Sequence, residues 1–103
     1  MKQFSWALAL AAAAVALSPA AHASAELAAQ YDCMGCHKTT SKVLGPAFKD
    51  IAKKYAGNPK AEAMLTDKII KGGAGVWGPV PMAANPKIPR EDVRKLAAWV
   101  LAQ

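Results

Sequence analysis

The periodicity of apolar positions changes near residue 24 and divides the chain into two unequal parts. Residues 6–17 are an unbroken run of alanine, leucine and valine after Trp6, with Lys2 ahead of it. Ser18-Pro19 breaks the run, and Ala21-His22-Ala23 places small residues around a cut. This pattern predicts a secretory signal over residues 1–23, cleaved after Ala23. It is too short and too rich in alanine for a membrane span. From residue 24 onward the spacing becomes helical. Leu27, Ala28 and Tyr31 share one face; Phe48, Ile51, Ala52 and Tyr55 share another. Ala61, Met64, Leu65 and Ile69 form a third stripe, and Val93, Leu96, Ala97, Val100 and Leu101 a fourth. Residues 24–103 therefore read as one all-α domain of about four short helices, without repeats, long linkers or a persuasive strand.

Boundary signals sharpen these elements. Ser24 can cap the first helix, where Glu26 suits the positive end of the dipole. Gly45-Pro46 opens the second helix and Gly57 stops it, while Asn58-Pro59 supplies an N-cap and a proline at the first helical position of the third. The last begins near Pro89 with Glu91 and Asp92 in its first turn, although Ile88 is a poor cap. Residues 72–82 are too rich in glycine and proline for any regular element, and a loop of that kind usually serves a function.

Size and motif together suggest a cofactor. A mature chain of about 80 residues buries only about 60 to 65 per cent of its unfolded surface, which leaves stability marginal. Cys33-Met34-Gly35-Cys36-His37 offers two thiols and a histidine at the spacing used for covalent haem attachment. Each sulfur can add to one vinyl group, and the imidazole can ligate the iron. The competing reading is a redox dithiol, which normally follows a strand and lies at a helix N-terminus; no convincing strand precedes Cys33. Zinc would lack a fourth ligand, because no Cys or His follows His37. A Cys33–Cys36 disulfide would close too small a ring to stabilise much. Haem would also supply the missing core, so the polypeptide without it should be largely unfolded.

A haem iron that carries electrons without binding small molecules needs a sixth ligand, for which methionine is common. Met34 lies inside the attachment motif and cannot reach the other face. Met64 falls at helical spacing beside Leu65, where core packing is the simpler role. Met82, in a proline-stiffened segment far from His37 along the chain, takes the position.

These residues resemble the short class I monohaem cytochromes c of bacteria. The resemblance rests on Cys33 to His37, on Gly45-Pro46, on Gly75 to Met82, and on Leu96-Ala97-Ala98-Trp99-Val100-Leu101. It implies the small class I fold, with about four helices around one haem c held by two thioethers. It further implies that the Pro46 carbonyl accepts from the His37 ring, that the Trp77 indole donates to a haem propionate, and that Asn85 donates to the Met82 sulfur. Lys68 stands where close relatives often have arginine reaching a propionate, but lysine lacks the planar fork of guanidinium. Trp99 reads as packing.

The implied function is outer-sphere electron transfer by a monomeric periplasmic carrier. Such a carrier would link a quinol-oxidising complex to a nitrite reductase, an oxidase or a photosynthetic reaction centre. Catalysis is not expected. The formal charge of +6 falls to about +5 when Lys2 leaves with the signal, which favours redox partners with acidic docking patches. Nucleic acid and stable membrane insertion are not expected. Two alternatives stay open: a thiol–disulfide oxidoreductase using Cys33 and Cys36, and a ligand-binding or peroxidatic haem protein in which Met82 leaves the iron free.

Overall fold

Helix α4, Arg90–Leu101, is the element against which the others pack, because its Val93, Leu96, Ala97 and Val100 form a buried stripe at helical spacing. The computed structural model describes residues 19–103, with side chains from Ser24 onward. The expected signal segment lies largely outside the described residues. The remaining elements are α1 (Pro19–Gln30), a 3-10 turn (Cys33–Gly35), α2 (Phe48–Lys54), α3 (Ala61–Lys71), and the strands β1 (Gly73–Gly75) and β2 (Gly78–Met82). Helices α1, α2 and α3 all lie against α4. Among the described residues no helix is long and apolar enough to cross a membrane.

Each helical stripe buries where its spacing predicts, with informative departures. Phe48 and Ile51 of α2 join Val100 of α4 in the core, with Tyr55, Leu65 and Trp99 partly buried against them. Burying side chains of this size contributes about 2 kcal/mol each. In α3 the buried positions are Ala61 and Thr66, not Met64, which is 45% exposed. Thr66 enters the core because its hydroxyl donates to the Glu62 carbonyl oxygen one turn earlier at 2.7 Å, which satisfies the polar group locally. Two ends also differ from expectation. Helix α1 runs back to Pro19, so Ser24 is buried within it instead of capping it. Asn58 does not cap α3 directly, since its Oδ1 accepts from the Lys60 N–H at 2.9 Å and forms a turn just before the helix.

The glycine-rich stretch is not irregular, contrary to expectation. Strands β1 and β2 pair antiparallel, Gly73 with Met82 and Gly75 with Gly78, around the two-residue turn Val76-Trp77. Glycine and proline together argue against a strand in this stretch. Here Pro79 and Pro81 alternate with the positions in phase with the paired Gly78 and Met82, so their missing N–H groups fall on the outer edge of a two-stranded ribbon.

Candidate haem site

The local fold around Cys33 to His37 is set by a tight reversal. Asp32 takes a left-handed conformation (φ 63°), ending the approach from α1, and the 3-10 turn begins at Cys33. In 3-10 geometry residues three apart eclipse one another, so Cys33 and Cys36 present their side chains on one side of the turn. The Cys36 and His37 N–H groups both donate to the Cys33 carbonyl, at 3.3 and 3.0 Å. Cys36 is exposed and Cys33 half-buried. Burial is the main cause that pushes the Cys33 thiol above its ordinary range; the Asp32 carboxylate adds to this, and a backbone hydrogen bond partly opposes it. An attacking thiol of a redox dithiol is shifted the other way.

His37 is buried and its ring is fixed from three directions. Its Nδ1 lies 2.8 Å from the Pro46 carbonyl oxygen, so Nδ1 carries the proton and donates, leaving Nε2 with a free lone pair. Phe48 stacks on the ring at 5.3 Å between centroids and 20° between planes, and Trp99 meets Phe48 edge-on at 5.2 Å. Gly45 closes the third side: a Cβ there would collide with Cε1, Nδ1 and Nε2 of the imidazole. Gly45-Pro46 is thus more than a helix opening. The glycine admits the ring and the proline carbonyl orients it.

Met82 closes β2 and is held by the carboxyl end of α3. Gly72 caps that helix with φ 69°, its N–H donating to the Lys68 carbonyl at 2.7 Å. A Cβ on Gly72 would collide with the backbone of Met82 to Ala84, so this close approach needs glycine. The Asn85 N–H donates to the Ile70 carbonyl at 3.0 Å, and its Nδ2 donates to the carbonyls of Ile69 at 3.1 Å and Ala83 at 3.2 Å. Asn85 therefore pins the segment that follows Met82 to α3. Met34 packs against the Phe48 core, away from such a role.

Trp77, at the hairpin turn, is 39% exposed, so the indole does not fill the core. Lys54 Nζ lies 5.4 Å from its ring centroid and 6.0 Å from that of Tyr55. The half-buried Lys68 points its ammonium at the start of β1, where a Cβ on Gly73 would sit 3.2 Å from Nζ. No carboxylate pairs with Lys68 among the described residues. Val43, Leu44, Val76 and Val80 are between 48% and 59% exposed, on the two segments that lead to Gly45-Pro46 and to Met82. The donor set fits a covalently attached haem: two thiols on one side of a turn, a fixed imidazole with one free nitrogen, and apolar side chains left uncovered by protein. Sequence reasoning missed the contact of Lys54 with Trp77, because the two are distant along the chain.

Residues 21–103 match the family described as Cytochrome c. The chain is similar to cytochrome c-552 of Nitrosomonas europaea, with 43% identity over 96 residues that span 93% of each protein. It is equally similar to cytochrome c-552 of Hydrogenobacter thermophilus, with 43% identity over 102 residues, 99% of this chain and 98% of the other. The crystal structure of the wild-type Nitrosomonas europaea cytochrome c552 superposes with a TM-score of 0.73 at 45% identity, covering 76% of this chain and 96% of that one.

Proposed function

Since the chain belongs to the cytochrome c family, we propose that it is a periplasmic electron carrier whose haem iron is held between His37 and Met82. The family binds haem c covalently, here through Cys33 and Cys36, and its members carry electrons and are not enzymes. Bound at this site, haem supplies a one-electron iron couple. The chain's residues hold that couple at a chosen potential and shield it. The observation that carries the reading is the immobilised His37 imidazole, with Nδ1 committed to Pro46 and Nε2 free. A thioether from Met82 favours ferrous iron and raises the potential, as does the apolar lining. Trp77 and Lys68 serve the propionates, and Asn85 holds the Met82 segment in place.

The dithiol alternative is disfavoured because helix α1, not a strand, leads to Cys33, and because burial pushes that thiol up. Visible spectra test the whole proposal. The reduced protein should show thioether-linked haem and should not bind carbon monoxide at neutral pH, whereas Met82→Ala should bind it. Carbon monoxide binding by the wild type would remove Met82 from the iron, and a colourless protein would restore the dithiol reading.

Residues 1–23 act as the export signal, and residues 24–103 are the working domain. The donor is a quinol-oxidising complex; the acceptor is a nitrite reductase, an oxidase or a reaction centre. Charge placement supports docking of a monomer to acidic partners. Glu62, Asp67 and Glu91 lie with Arg94, Arg90 and Lys95 on the α3–α4 side. Exposed Lys42, Lys49 and Lys53 have no carboxylate partner among the described residues; Lys42 precedes the Gly45-Pro46 segment, and Lys49 and Lys53 lie on α2. Electron-transfer rates that do not fall as salt rises would count against this docking.

A further inference from the structure

Lys54 and Trp77 are brought together from separate elements, and nothing in the proposed mechanism uses the lysine. Lys54 is the last residue of α2, where the helix C-terminus favours a cation. Its side chain reaches the ring of Trp77 at the hairpin turn, with Nζ 5.4 Å from the centroid, while Tyr55 flanks it at 6.0 Å. The ammonium is thus within cation–π range of both rings. No carboxylate holds it among the described residues, so the aromatic faces of Trp77 and Tyr55 are what its ammonium meets. The Trp77 ring has no aromatic neighbour in the stacking that joins His37, Phe48 and Trp99. A half-exposed indole on a two-residue turn would otherwise sample several rotamers.

We infer that Lys54 is a positioning residue for the Trp77 indole: it clamps the ring across the gap between α2 and the hairpin and aims the indole N–H at the haem propionate. This rests on the reading of Trp77 as the propionate donor. Lys54 acts through the ring, so its effect on the iron depends on the indole N–H. A neutral side chain at 54 leaves the indole free to turn. Arginine keeps the charge and stacks on aromatic faces, so it should preserve the clamp.

The test uses the isotopically labelled, reduced holoprotein and compares Lys54→Gln, Lys54→Arg and Trp77→Phe. In the wild type the Lys54 methylenes should carry ring-current shifts and the Trp77 indole N–H should exchange slowly with solvent. Lys54→Gln should speed that exchange about three- to fivefold, the range expected of a partly exposed cation–π contact, and lower the midpoint potential. Lys54→Arg should restore both. In a Trp77→Phe background, Lys54→Gln should lower the potential by less than it does in the wild type. An equal drop in that background would show a bare charge effect and overturn the positioning role. Unchanged exchange in Lys54→Gln, with a protected indole in the wild type, would overturn it as well. An indole that exchanges freely in the wild type overturns the propionate reading and with it this role, and the Lys54 ring-current shift separates the two failures, persisting only if the contact itself is real.

Discussion

The imidazole of His37 shows how single atoms govern this site. Gly45 has no Cβ, and one added there would meet three ring atoms. Gly45→Ala should therefore displace the ring or the backbone and destabilise the holoprotein by about 2 kcal/mol, as overpacking does. Urea denaturation checks the energy, and a changed haem spectrum checks the displaced ring. Tyr31 offers a second residue-scale case. Its hydroxyl donates to Asp92 Oδ2 at 2.8 Å, joining the end of α1 to α4, and this bond raises the tyrosine pKa, with desolvation and the carboxylate charge adding to it. A raised folded-state pKa means that the stabilisation is fully present below the unfolded value of about 10 and is lost as pH rises through the folded value. Tyr31→Phe should thus melt below the wild type at pH 7, and thermal melts should show that gap narrowing above about pH 10.

At the scale of elements, α4 should bear the largest packing penalty. Leu96 is 2% exposed on the face that receives the other helices. Leu96→Ala should cost about 3 kcal/mol, read from the urea midpoint, because the neighbours cannot collapse fully onto the vacated volume. The exposed ion pairs between α3 and α4 are a different matter. Arg90–Asp67 at 3.3 Å and Arg94–Glu62 at 3.8 Å have side chains about half exposed or more, and such pairs contribute at most about 1 kcal/mol. Helices were legible because burial repeats every three to four residues. The hairpin was not, since glycine and proline carry no apolar period, and pairing depends on which phase of the strand the prolines occupy. Met64 lies exposed and Thr66 buried for a related reason: the apolar period fixes a broad face rather than a single position, and a threonine that bonds its own helix can enter the core.

For the whole molecule, stability should depend on the cofactor. The core of Phe48, Ile51 and Val100 is small, and Val43, Leu44, Val76 and Val80 remain uncovered by protein. A Cys33→Ala, Cys36→Ala double variant should lose most of its helical circular dichroism, because the apolar surface that haem would cover stays exposed to water. Native-strength helicity in that variant would contradict the dependence.

What the sequence determined by itself was the chemistry and the helical framework. The two thiols, the histidine and the apolar stripes act through spacings of a few residues, and local geometry converts such spacings directly into shared faces. Tertiary structure alone decided the rest: that Gly45 yields to an imidazole, that Gly72 lets α3 touch the Met82 segment, that Asn85 is occupied by carbonyls of Ile69 and Ala83, and that Lys54 meets Trp77. These contacts join residues whose proximity depends on how whole elements pack, and close packing in three dimensions has no one-dimensional period to announce it.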